Sequence, residues 1–423
     1  MAIWDFIVAN ILRNPPILLA LVSVLGSLLL GKKFSVLIKT AVLAAAGMLM
    51  LTMGVDILVS SISPVNTVFR MINGVEIQSG LDASSFIAVY GGEIGMAMLL
   101  GLVLHLGIAR FTPVKTIFLT GHFLYWFPQT FVAAGVEAGL TGVTLVIFGG
   151  ACAALYWSLM PWFTRKLVWA VTKDESWMMG HPTGILSVIA GGVAKVVGNK
   201  EKSTEDLKIP ESLSFLKETT IIGFIVIFIL YVVCDVAFNG AFSEYANQNI
   251  VFYAINMGLT FSVGLQVLLA GVRMLINQIV PAFEGISRKL VPNAIPAYDC
   301  PMLFPYKPNA LIIGFIVALV SSIPAIIFVN STNLLGIMTV PVVITCFFEL
   351  GAASIIADGQ GGLRGAIIGT AVAAVVMIFL AGTSAVLFDQ TIQNQMLSSR
   401  GNDTSLFGMI ALWIGTLLKS IGL

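Results

Sequence analysis

Apolar residues run through this chain in long blocks separated by short polar interruptions. The blocks cover 14–31, 36–60, 93–110, 116–135, 138–160, 176–194, 219–239, 248–275, 309–329, 333–350, 365–388 and 405–422. Most approach the roughly 20 residues an α-helix needs to cross a bilayer. The pattern predicts an all-α, polytopic membrane protein with about 11 transmembrane helices plus re-entrant hairpins. The blocks divide into two sets of six, and the third and fourth members of each set start at 93 and 309, and at 116 and 333.

The same spacing recurs in residue identity. Gly47, Leu51, Gly54, Val55, Leu58, Ile62, Pro64 and Asp82 return 217 positions later as Gly264, Leu268, Gly271, Val272, Leu275, Ile279, Pro281 and Asp299. An ungapped internal repeat in a membrane chain points to a transporter built from two related halves, with its solute held where they meet. The chain therefore reads as one membrane domain, 1–423. Repeat one covers about 10–200, a polar cytoplasmic linker 195–218, and repeat two about 219–423.

Basic residues in short loops set the orientation. Lys32, Lys33 and Lys39, then Arg110 and Lys115, then Arg165, Lys166 and Lys173 all fall on one side if the N-terminus lies outside. The linker is on that side too, so 176–194 must enter and leave the same face. Its Gly180, Pro182 and Gly184 suit a re-entrant hairpin. The two repeats are then inverted; a full crossing at 176–194 would instead make them parallel. Pro64, Pro281, Pro292, Pro296, Pro301, Pro305 and Pro308 cluster around the repeated aspartates and predict discontinuous helices there. Ile3, Phe6, Ile7 and Ile11 share one helical face, as in a short interfacial helix; nothing nearby reads as a signal peptide.

Composition narrows the classes. Hydrophobic residues make up 58% of the chain, charged residues 10%, and mean hydropathy is +0.98. A soluble domain carries about 25% charged residues. A net charge of +1 with no basic stripe excludes nucleic acid as a partner. Cys152, Cys234, Cys300 and Cys346 lie singly in apolar surroundings, so no metal site, cofactor or disulfide framework is expected.

Ionisable groups inside apolar blocks are the candidates for chemistry, because burying them in lipid is costly. Asp82 and Asp299 stand first, either accepting hydrogen bonds from solute hydroxyls or capping half-helices. His122 in TGHFLYW and His181 in MGHPTG each follow a glycine and suit hydrogen bonding or proton acceptance near a reacting hydroxyl. His105 reads as packing. Trp126 and Tyr125 could stack on a sugar ring. Asp56 and Arg273 share a repeat position and read as structural. Asp358 and Arg364 fall in the glycine-rich stretch GAASIIADGQGGLRG, and Glu349 stands two residues ahead of it; the stretch reads as a turn and does not form a P-loop.

TGHF at 120–123, MGHP at 179–182, STEDLKIPESL at 203–213, GVRM at 271–274, AFEGISRKLVPNAIPAYDC at 282–300 and KPNA at 307–310 resemble one family. It is the ascorbate-type enzyme IIC, the membrane component of the bacterial phosphoenolpyruvate-dependent sugar phosphotransferase system. The likeness runs from about residue 10 to 420. It implies a homodimer in the bacterial inner membrane, with an elevator-type core domain moving against a dimerising scaffold. It implies a sugar substrate delivered to separate cytoplasmic IIB and IIA components, since no phosphoryl-accepting residue is evident here. It also implies solute contacts at Asp82, Ala83, Ser84, His122, Trp126, His181, Pro182 and Asp299. Trp126 and Pro182 stand where the ascorbate pattern has glutamine, which opens the choice to a related sugar acid, polyol or pentose. The competing reading is an ion-coupled secondary transporter with Asp82 or Asp299 as the coupling carboxylate; a membrane enzyme or scaffold without transport is a third.

Overall fold

The computed structural model describes residues 10–11, 14–73, 80–81, 83–207, 215, 218–337, 339, 343–388, 390–392 and 401–422. Asp82 lies outside the described residues. Ala83 and Ser84 open a helix, but their side chains are outside the description. The expected interfacial helix also falls almost wholly outside.

Helices dominate. In order they are α1 (Pro15–Leu29), α2 (Phe34–Asn73), α3 (Ala83–Phe111), α4 (Phe123–Glu137), α5 (Gly142–Thr172), α6 (Gly184–Val197), α7 (Thr219–Ala237), α8 (Ala241–Ala246), α9 (Ile250–Leu290) and α10 (Pro308–Thr332). The short helix Val343–Thr345 then continues through a π-helical turn, Cys346–Leu350, into α11 (Gly351–Leu387), and α12 is Asn402–Ser420. Among the described residues, seven helical stretches are long and apolar enough to cross a bilayer. They are Phe34–Val65, Ser85–Phe111, Gly142–Thr172, Thr220–Ala237, Ile250–Ala282, Pro308–Thr332 and Val343–Leu387. Val42, Val103, Val143 and Val236 are each more than half exposed, which lipid tolerates and water would not. The protein is an all-α, multi-pass membrane protein.

Two of the apolar blocks that fall short do so for a local reason. Blocks 116–135 and 176–194 each begin with a short strand and a glycine turn before a helix of 15 or 14 residues. At 1.5 Å per residue such helices reach roughly 20 Å, less than the hydrocarbon thickness.

Two expectations are corrected. Pro64 and Pro281 do not break their helices; each sits inside a continuous one, α2 of 40 residues and α9 of 41. One lost backbone bond is tolerable in a membrane helix braced by neighbours. The stretch GAASIIADGQGGLRG is not a turn throughout. Gly351 onward is helical, and only Gly361 (φ −148°) and Gly362 (φ 61°, ψ −160°) depart from helical angles. A side chain at Gly362 would be strained at that φ, and its Cβ would lie 2.2 Å from the carbonyl oxygens of Asn199 and Lys202.

Helices α2 and α9 cross at bare glycine surfaces. A Cβ on Gly54 would lie 2.4 Å from the Leu268 nitrogen, and one on Gly271 2.4 Å from the Leu51 nitrogen. A Cβ on Gly47 would meet the Leu275 nitrogen at 2.7 Å, and one on Gly264 the Leu58 nitrogen at 2.8 Å. Small residues allow such close approach, the main source of helix adhesion where lipid is as apolar as the side chains.

A three-stranded parallel sheet, unforeseen in the sequence, sits among the helices in the order β1 (Thr116–Phe118), β3 (Ile295–Tyr298), β2 (Met178–Met179). Thr116 pairs with Ile295, and Met178 with Ala297. Its backbone is irregular only where protein surrounds it: Phe118, Met178 and Ala297 are fully buried. His105 secures β1. Its Nε2 accepts from the Phe118 N–H at 3.1 Å, which leaves Nδ1 to donate to Ser158 Oγ at 2.7 Å.

Candidate functional site: a pocket at three strand ends

The three strands end side by side, and each delivers one candidate residue. His122 lies four residues past β1, His181 two past β2, and Asp299 one past β3. Between the ends, Leu119 N–H donates to Ala297 O at 2.9 Å and Gly180 N–H to Tyr298 O at 2.6 Å. The Thr120 hydroxyl donates to Gly180 O, tying the two Gly-His turns together. Both turns are tightly packed, and backbone closes in at Gly180. A Cβ on Gly121 would lie 2.7 Å from Leu275 Cδ2, and one on Gly180 2.9 Å from Ala297 O.

His122, His181 and Asp299 line one pocket, part of it open at the mouth. His181 Nε2 lies 3.7 Å from Asp299 Oδ1, close enough for ion pairing but beyond a normal hydrogen bond. Asp299 Oδ1 also accepts from the Cys300 N–H at 2.8 Å. His181 Nδ1 is buried with no hydrogen-bond partner. A buried polar atom left unmatched costs about 1–3 kcal/mol. Trp126, one helical turn after His122, also lines the pocket, with its ring edge-on to His122 at 5.0 Å. Leu51 from α2, and Leu268 and Val272 from α9, close another wall. The pocket therefore lies where the repeat helices meet the strand ends.

The remaining candidates fall differently. Tyr125 is 1% exposed and packs in the core rather than on the pocket. Pro182 is not a lining residue; its carbonyl accepts from the Asp403 N–H at 3.1 Å. Asp82 is outside the described residues. Asp56 and Arg273 are exposed on α2 and α9, and among the described residues neither has an ion-pair partner.

Glu349, which the sequence reading set aside with the glycine-rich stretch, belongs to the site. It is 2% exposed and lines the same pocket from the π-helical turn. Its Oε2 accepts from the Asn402 N–H at 2.7 Å, and its carbonyl accepts from Thr183 Oγ1 at 2.8 Å. Its signal was present: an acid at the end of the apolar block 333–350 is a candidate by default. Asp403 is a second unforeseen acid. It accepts from Tyr156 OH at 2.5 Å and from the amides of Gly184 and Ile185 at 3.0 and 2.9 Å, capping α6. One group of three metal-capable donors occurs among the described residues: His181, Asp299 and Cys300, with donor atoms within 4.8 Å of one another.

A buried, mostly apolar pocket with a few convergent polar groups suits a small polar solute. The family model for the phosphotransferase (PTS) system sugar-specific permease component, EIIC-GAT, matches residues 10–413. The chain belongs to this family. It is also 25% identical over 420 residues to the "Ascorbate-specific PTS system EIIC component" of Mycoplasma pneumoniae, covering 85% of this chain and 63% of that protein. The chain thus spans somewhat less than two thirds of the length of this curated relative. As an EIIC-GAT member it presents its strand-end pocket from within a bundle of membrane helices.

Proposed function

We propose that the chain is the IIC permease of a bacterial phosphotransferase system. It carries L-ascorbate or a related sugar or polyol across the inner membrane, and a separate cytoplasmic IIB, charged by IIA, phosphorylates the solute. One observation carries the reading: three parallel strands end together and bring His122, His181 and Asp299 into one pocket with Trp126. Asp82, Ala83, Ser84 and Pro182 complete the proposed solute contacts, Pro182 through the turn that aims His181.

The two halves are proposed as inverted repeats. In support, the close approach of Gly47 to Leu275 becomes that of Gly264 to Leu58 when the halves are exchanged, and Gly54–Leu268 becomes Gly271–Leu51. Pairs that swap partners in this way are the signature of a two-fold relation, and contact numbers that rise on one helix as they fall on the other mark antiparallel helices. Such a pair, with a solute pocket on its flank, suits an elevator in which the strand-end core slides along α2 and α9. About 11 crossings in all fit this scheme. Asp56 and Arg273 support a homodimer. Charges on an exposed membrane face cost about 2.5–3.5 kcal/mol each on insertion scales unless covered, and these two carry opposite signs.

Uptake into vesicles is the test. Accumulation of a phosphate ester only when phosphoenolpyruvate and the soluble components are supplied supports the reading. Uptake of unmodified solute driven by a proton or sodium gradient would instead favour an ion-coupled transporter, for which the buried His181–Asp299 pair is the natural coupling site.

A further inference from the structure

The charge balance of the pocket bears on which solute enters it. Among the described residues, two acidic side chains line it, Asp299 and Glu349, and no lysine or arginine does. They come from different places: Asp299 from a strand end, Glu349 from the π-helical turn ahead of α11. Neither has a lysine or arginine partner among the described residues. A carboxylate accepts about four hydrogen bonds. Among the described residues Glu349 receives one, from Asn402, to its side chain, so acceptor capacity remains there. Thr345, one turn earlier, and His181 line the same pocket.

L-Ascorbate is an enediol acid that carries one negative charge at neutral pH. Bringing that charge beside two acidic side chains, in a narrow pocket with no lysine or arginine among its described lining residues, sets like charges against each other. A neutral polyhydroxylated solute meets the same walls favourably. Each of its hydroxyls donates to a carboxylate oxygen, and hydrogen bonds to charged acceptors are the stronger kind. Trp126 adds an apolar face for the carbon skeleton.

We infer that Glu349 is a specificity-determining residue that accepts hydroxyl hydrogen bonds from the solute and makes this pocket select neutral sugars or polyols over anionic ascorbate. The inference rests on the pocket being the permease's sugar site. Glu349 acts together with Asp299: the two acidic side chains, brought by different elements, both accept from hydroxyls and both discourage an anion.

The test is equilibrium binding of radiolabelled L-ascorbate, xylitol, D-arabitol and galactitol to the purified full chain at neutral pH. Wild type is expected to bind at least one neutral polyol about tenfold or more tighter than ascorbate. Glu349→Gln keeps an acceptor for the Asn402 N–H and nearly the same volume, and it is expected to narrow that ratio by about tenfold. Glu349→Asp keeps the charge but shortens the reach. It should weaken polyol binding while still excluding ascorbate, and it serves if the glutamine variant does not fold. Wild type preferring ascorbate to every polyol, or an unchanged ratio in Glu349→Gln, overturns the inference while leaving the permease reading intact. Binding of none of the four by wild type takes down the pocket reading and the inference together.

Discussion

Glu349 and Asp358 lie nine residues apart in one helical run, and both are buried, at 2% and 3% exposure. Their surroundings differ completely. Asp358 is saturated: Lys307 Nζ pairs with it, Ser203 Oγ donates at 2.8 Å, and the Thr204 N–H donates at 2.7 Å. Around it, Glu205 Oε1 accepts from the amides of Asn309 and Ala310 at 2.9 and 3.1 Å, so the whole cluster stitches the segment after α6 to the start of α10. Among the described residues Glu349 has one amide on its side chain and no cation, and it has a pocket in front of it. Equal burial thus hides opposite roles. A carboxylate whose hydrogen-bonding capacity is filled by the protein holds the fold, and one left partly unfilled at a cavity waits for a solute.

The comparison breaks most visibly at Asp358. Asp358→Ala leaves the Lys307 ammonium without its buried partner, an expected loss of about 3–5 kcal/mol. Thermal unfolding of detergent-solubilised protein should show it, and an unaltered midpoint would put the cluster outside the stability of the fold. Glu349→Gln should barely move the same midpoint. Asp299→Asn comes next: insertion and folding should survive, because the amide oxygen still accepts from the Cys300 N–H. Solute affinity should fall by about 2 kcal/mol, roughly thirtyfold. Gly54→Val tests the helix crossing. Its side chain meets the Leu268 backbone, and overpacking of this kind costs about 1–3 kcal/mol, read as lower thermal stability and slower uptake. The smallest effect is expected from Trp126→Gln. Loss of an aromatic face should weaken a ring-shaped solute by about 1 kcal/mol, and an unchanged affinity would place the indole against protein alone.

Much of this was legible in the residues. The repeat was readable because the glycines that let α2 and α9 touch tolerate no side chain there, which fixes identity at matching positions. The apolar blocks marked the helices for the same reason lipid selects them. His122, His181 and Asp299 stood out as ionisable groups in apolar blocks, and the structure brings those three together. What joins them was not legible. Strands of two to four residues, such as Met178–Met179 and Ile295–Tyr298, are too short to show an alternating pattern. Pro64 and Pro281 misled because local propensity forbids what tertiary packing allows. Glu349 was passed over because its neighbouring glycines suggested a turn, when the actual break waits until Gly361 and Gly362.

A map of the protein with its solute bound would test the central claim most directly. The account predicts density in contact with Asp299, His181 and Glu349, with the Trp126 ring against the carbon skeleton. Solute density elsewhere in the molecule, with those side chains bare, would contradict it.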